Sequence, residues 1–217
     1  MVPAQPVVAW LLGLMVQAAP PEVIAAKPQL PLHEETAEQK VARYTDIAED
    51  LYMVLYDPKT VPLFSGAKGR AATAVLVLGI AYHESGFAHD VDRGPCFRGI
   101  DRGHDYHTRC DGGVAACMLQ IEVGDGTTRE GWSRNELFAD RQKCIRAGLS
   151  IMRRSFNACK AYPLEQRLSV YAQGSCASPM GIRRSRELFG QARQFRGKAA
   201  LPSPDSLFMP DSDAPDS

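Results

Sequence analysis

Much that would narrow a function quickly is missing from these 217 residues. Net charge is absent: 25 Lys and Arg balance 25 Asp and Glu, so the whole chain makes no electrostatic case for nucleic acid or an anionic membrane. No Cys-x-x-Cys pair occurs, which argues against a zinc ribbon or a thioredoxin-type site. No apolar run approaches the roughly 20 residues of a membrane-spanning helix. No segment repeats. What is present, 45% hydrophobic and 23% charged residues, excludes a mostly disordered, collagen-like or coiled-coil chain. The length fits one domain with flanking segments and is ample for a single core.

Charge is also missing locally. Residues 2–21 carry no charged side chain. Within them Val7 to Val16 is a compact apolar run, followed by Gln17, Ala18, Ala19 and a Pro pair. A run of about ten residues fits the core of an export signal, and Val16 and Ala18 suit a cleavage site. No Lys or Arg precedes the run, so an uncleaved anchor or a buried helix is the alternative. We expect residues 1–19 to be a signal peptide and residues 20–33, with four prolines, a linker. At the other end no Lys or Arg follows Lys198, while Asp205, Asp211, Asp213 and Asp216 do. Residues 197–217 read as a disordered acidic tail. Without those four acids, residues 1–204 stand at 25 minus 21, or +4.

The six cysteines are Cys96, Cys110, Cys117, Cys144, Cys159 and Cys176. An even count behind a candidate signal points to disulfides in an oxidising compartment, hence a periplasmic or secreted protein; free buried cysteines are the alternative. We expect Cys96–Cys110, closing a Gly-rich loop, and Cys159–Cys176, tying two helices.

Between the ends the pattern is helical. Val41, Tyr44, Ile47, Leu51 and Leu55 recur at three- and four-residue steps over Glu34–Tyr56. Ala71–Tyr82 is apolar nearly all round; its alanines and length favour a buried helix over a buried strand. Residues 87–116 are loop-like, and Ala116–Glu122 is a short apolar segment. Over Asn135–Lys160 one face carries Phe138, Ile145, Leu149, Met152 and Phe156, with Arg141, Arg146, Arg153 and Arg154 off it. Leu164–Gln173 and Ile182–Phe195 complete an all-α domain over residues 34–196. Its arginines, including Arg183, Arg184, Arg186 and Arg193, would meet an anionic surface or simply be solvated.

Glu84 is the candidate for chemistry. It is the only carboxylate of the long apolar helix and sits at its C-terminal end. Burial and the negative helix end both disfavour its ionised form, which is what a general acid for glycoside cleavage needs. Ser85 beside it is expected to hydrogen-bond the carboxyl and fix its rotamer. A solvent-facing Glu at a fraying helix end is the bland alternative.

Three segments add to this. His83-Glu84-Ser85-Gly86-Phe87 resembles the Glu-Ser start of the catalytic signature of soluble lytic transglycosylases. Ala115–Ile121 (AACMLQI) resembles their Gly-Leu-Met-Gln-Ile segment, with Gln120 on the Gln and Met118-Leu119 on the apolar pair. Ser169–Cys176 (SVYAQGSC) resembles their Ala-Tyr-Asn-Ala-Gly segment, with Tyr171 on the Tyr and Gly174 on its Gly. The order is kept, over about residues 66–176. Cys117 replaces a Gly, which would narrow the approach of substrate or make a disulfide. Ala172 replaces an Asn.

The resemblance implies a lysozyme-like, transglycosylase-type domain with a long disulfide-pinned loop, acting on peptidoglycan strands as a monomer with no cofactor and no nucleic acid. It implies that Glu84 protonates the oxygen between N-acetylmuramic acid and N-acetylglucosamine. The ionised Glu84 then deprotonates the sugar's 6-hydroxyl, leaving a 1,6-anhydromuramyl end. Tyr171 would donate a hydrogen bond near Glu84 or to the substrate. Met118, Gln120 and Gln173 would bind sugar. Two rivals remain: a goose-type lysozyme-like muramidase that uses water, with Asp90 or Asp92 as second carboxylate, and a non-catalytic wall-binding module. His89, Asp90, Asp92, His104, Asp105 and His107 are dense in ligand-type groups but show no recognised metal spacing, so no metal site is expected.

Overall fold

The apolar stretch Ala71–Tyr82 is the middle of a 17-residue helix, Gly69–Ser85. Nearly all of its side chains are buried, which a helix achieves only when neighbours cover every face. The computed structural model describes residues 4–22, 35–94, 100–101, 104–105, 110, 114–123 and 126–196. Among these the chain is all-α apart from two small hairpins. The order is α1 (Ala4–Ala18), α2 (Ala37–Leu55), α3 (Gly69–Ser85), α4 (His89–Asp92), β1 (Ile100–Asp101), β2 (His104–Asp105), β3 (Ala115–Ala116) and β4 (Ile121–Glu122), then α5 (Arg134–Ala139), α6 (Arg141–Ala158), a 3-10 turn (Leu164–Gln166), α7 (Ser169–Gln173) and α8 (Pro179–Arg196). The expected linker lies largely outside the described residues, and the expected acidic tail wholly so.

The periodic positions are the core. Tyr44, Ile47, Leu51 and Leu55 of α2, and Ile145, Leu149, Met152 and Phe156 of α6, are buried. In α1, Val7, Leu11, Leu14 and Met15 are fully buried, and the helix packs on α2. The run expected to form a signal core is thus a packed helix here, and its removal would uncover a face of α2. No described helix is long and apolar enough to cross a membrane.

Two expected helices are broken. Asn135–Lys160 divides at Asp140, whose extended backbone (φ −127°, ψ 99°) ends α5 and whose side chain caps α6 through the Lys143 N–H. Asp prefers such a cap to a helix interior because its short carboxylate competes for backbone donors. Leu164–Gln173 likewise splits into the 3-10 turn and α7. At the start of α5, Ser133 and Glu136 form a capping box. Lys143 of α6, 2.7 Å away, and then the Ser133 backbone hold the Glu136 carboxyl down to about 2.

Cys159–Cys176 forms as expected, joining the end of α6 to the chain beyond α7. Cys117–Cys144 is a second bridge, between the turn before β4 and α6. Cys110 is also disulfide-bonded; its expected partner Cys96 lies outside the described residues. Such cross-links are the pattern of a protein that matures outside the reducing cytoplasm.

α3 and α8 cross at Gly79. A Cβ built on Gly79 would lie 2.6 Å from the Cα of Ala192, a distance backbone cannot tolerate. Gly79→Ala should therefore lower stability by about 1–3 kcal/mol despite alanine's better helix propensity, read from the urea midpoint; an unchanged midpoint would show that the helices separate freely. For Glu136, a carboxyl held low in the folded chain adds stability that is complete above the unfolded carboxylate range and is lost as pH falls through the folded value. Glu136→Gln should flatten the acid limb of a stability curve between roughly pH 5 and pH 2, with the two curves converging at its acid end.

Candidate functional site

Glu84 sits two residues before the end of α3's hydrogen-bonded run. Gly86 stops the helix in the left-handed region (φ 60°), its N–H donating to the Tyr82 carbonyl at 2.8 Å. The chain beyond is anchored at once. Phe87 is buried against Tyr44 and Phe195, and Arg43 donates to its carbonyl at 2.8 Å. The half-buried Glu84 is therefore held at a fixed corner and does not fray.

That corner opens on a cavity of about 600 Å³. Glu84 and His83 of α3 line it, with Gln120 and Glu122 at β4. Tyr171, Ala172 and Gln173 come from α7. Arg154 of α6 and Arg184 with Leu188 of α8 complete the wall. Glu84, Gln120, Tyr171 and Gln173, drawn from three distant segments, thus share one cleft.

Tyr171 is fixed twice. Its backbone N–H donates to Ser155 Oγ at 3.0 Å, and its hydroxyl donates to the Leu119 carbonyl at 2.9 Å. Burial, and then the charge of Glu84, push its phenol well above the usual value, so it stays a neutral donor. The hydrogen bond expected toward Glu84 or substrate is here directed at Leu119.

Gln120 stands in a tight turn. Cys117 (φ 59°) and Gln120 (φ 49°) both adopt the left-handed region, which costs a non-glycine residue about 1–3 kcal/mol. The Gly that Cys117 replaces in the resembling motif would adopt it freely. The side chain of Cys117 is buried in its bridge to Cys144, so the substitution fastens the turn. The Gln120 amide donates to the Cys117 carbonyl at 3.0 Å and to Cys110 Sγ at 3.5 Å.

Four expectations need correction. Ser85 does not hold the Glu84 carboxyl: its hydroxyl donates to the Ala81 carbonyl at 2.6 Å and accepts from the Phe87 N–H at 3.1 Å, closing the helix end. Met118 is fully buried in the core and does not line the cleft. Asp90 and Asp92 are buried in α4, away from the cavity lining. Arg141, expected off the apolar face of α6, is buried against Asp92 with paired bonds of 2.9 and 2.8 Å and a further bond to Asp50. Arg43 stands 3.8 Å from the same Asp92. Asp92 is thus a structural anion between two guanidiniums.

His89 lies on α4, His104 and Asp105 on β2, and His107 outside the described residues. Among the described residues no three His, Cys, Asp or Glu are grouped as metal ligands.

Sequence reasoning missed Glu122 in the cleft. No local spacing announced it: Gln120 stands in a left-handed turn and the strand begins only at Ile121, so the two-residue alternation of an extended segment does not link them. Comparison with known families, curated proteins and solved structures returns no match to this chain.

Removing the charge of Asp92 would leave Arg141 with Asp50 as its remaining counter-ion, while Arg43 keeps its paired 2.6 Å bonds to Glu35. Asp92→Asn, which weakens the paired bonds to Arg141, should cost about 1–3 kcal/mol in denaturant unfolding. A variant of unchanged stability that had lost a catalytic activity would instead return Asp92 to the chemistry.

Proposed function

We propose that this chain is a periplasmic or secreted, lysozyme-like lytic transglycosylase that cleaves peptidoglycan glycan strands. The observation that carries the reading is the meeting of Glu84, Gln120, Tyr171 and Gln173 in one cleft, since three motif segments matched by accident would have no reason to converge. The cavity volume lies within the range of small-ligand sites and would hold a few sugar rings of a longer strand.

Glu84 protonates the glycosidic oxygen as the C1–O bond of the muramyl residue breaks. The resulting carboxylate takes the proton of that sugar's own 6-hydroxyl, whose oxygen bonds to C1. The proton count on Glu84 is restored, no water enters, and an anhydro end results. Gln120, whose amide N–H groups are engaged by Cys117 and Cys110, presents its carbonyl oxygen to a sugar N–H or O–H. Tyr171 buttresses the Leu119–Gln120 turn against the acid.

Glu122 supports a second reading. It supplies the second carboxylate of the cleft, the position sought for Asp90 or Asp92, and could activate water as in an inverting or retaining hydrolase. A wall-binding module without turnover is the non-enzymatic rival.

Purified sacculi digested by the protein decide among these. The transglycosylase releases muropeptides lighter by one water than their reducing counterparts; reducing ends alone select the hydrolase, and no soluble product selects the binder. Glu84→Gln should abolish release, at least about a thousandfold by the scale of acid–base catalysis, with an unchanged melting temperature. Lysis at the parent rate by this variant would remove Glu84 from the mechanism.

A further inference from the structure

Beside its two carboxylates, Glu84 and Glu122, the cleft is lined by two arginines, Arg154 and Arg184, that the proposed cleavage does not use. On α6 and α8 most arginines are already engaged. Arg141 binds Asp92 and Asp50, and Arg146 binds Asp57 at 3.2 Å. Arg153 donates to the Val61 carbonyl. Arg183 and Arg193 pair with Glu187 and Glu165 at 3.7 and 3.9 Å. Arg154 and Arg184 differ. Both are exposed and both line the cavity. Among the described residues Arg154 has only the electrostatic influence of Glu130, and Arg184 has no hydrogen bond or ion pair. They project from different helices into the space that Glu84 enters from α3. Two guanidiniums without an ion pair among the described residues, in one concavity, suit a ligand with carboxylates at more than one point.

In an intact strand the lactyl carboxyl of the muramyl residue is consumed in an amide, so negative charge beside the glycan comes from the peptide attached there. We infer that Arg154 and Arg184 take carboxylates of the peptide stems, making the cleft selective for strands whose stems are free and acidic over neutral glycans. This rests on the reading of the cavity as a muramyl-glycan site. Ile151 and Leu188, which also line it one turn from Arg154 and Arg184, would pack against apolar parts of the stem.

The test is binding, so that it stands apart from turnover. The Glu84→Gln protein is co-sedimented with three preparations: intact sacculi, sacculi whose carboxylates are amidated with carbodiimide and ammonia, and strands stripped by an amidase, which keep only lactyl carboxylates. The inference expects binding to intact sacculi at least tenfold tighter than to the other two. Adding Arg154→Ala and Arg184→Ala should bring all three to the weakest level, with the circular dichroism unchanged. Arg184→Lys alone should recover part of the preference. Arg186→Ala, on α8 but not lining the cavity, should keep it whole. Equal binding to all preparations, or a preference that survives loss of both arginines, would overturn the assignment. Stripped strands bound as tightly as intact sacculi would move the carboxylate to the lactyl group and overturn the stem assignment. If the preference holds but the parent protein releases no product from sacculi, it is the catalytic reading that fails.

Discussion

The crossing of α3 over α8 at Gly79 and Ala192 is the contact on which the cleft depends. A helix apolar on every side must be enclosed, and the absence of a Cβ at Gly79 lets α8 approach to backbone contact. Glu84 lies five residues further on, about 7.5 Å along the helix, where the enclosure ends. α8 leaves the same crossing toward Leu188 and Arg184, and so becomes the wall facing the acid. A wider crossing would shift the carboxylate relative to that wall. Catalytic and binding groups need placement to within a fraction of an ångström, so under the proposed function a packing contact remote from the cleft would set its geometry.

The opposite wall is secured from α6. The Cys117–Cys144 bridge ties the Gln120 turn to that helix. Gly148, one turn on, leaves room for Leu119, whose Cδ1 would lie 2.4 Å from a Cβ there. Tyr171 then holds the Leu119 carbonyl from α7. Two left-handed non-glycine residues persist because bridge, packing and hydrogen bond together over-determine them. The strain is thus kept in the wall that presents Gln120 and Glu122. α4 is fixed separately, by Asp92 between Arg141 and Arg43, and contributes no group to the cleft.

The helical skeleton was legible because periodicity reports burial directly. The apolar stripes of α2 and α6 became their core faces, and the alanines of Ala71–Tyr82 did select helix over strand. Legibility failed where one residue chooses between two local roles. Asp140 serves as a cap inside what reads as a continuous helix. Ser85 has its own backbone as a nearer partner than Glu84. Arg141 looks like a solvated charge until the fold delivers Asp92, 49 residues away in sequence. Of the candidate site, local motif pointed to Glu84, Gln120, Tyr171 and Gln173, which line one cavity. The site was not legible where the groups come from helix surfaces: on a stripe of similar arginines, only the three-dimensional pairing separates Arg154 and Arg184 from those bound to protein acids. Met118 illustrates the converse, a motif position whose side chain serves the core while its neighbours serve the cleft.

The most direct test of the central claim is a crystal structure of the Glu84→Gln protein with a muropeptide oligomer. The account predicts the glycosidic oxygen within about 3 Å of the residue 84 side chain, the sugar amide or hydroxyls against Gln120, and a stem carboxylate near Arg184. A saccharide bound elsewhere on the molecule, with this cleft filled only by water, would contradict it.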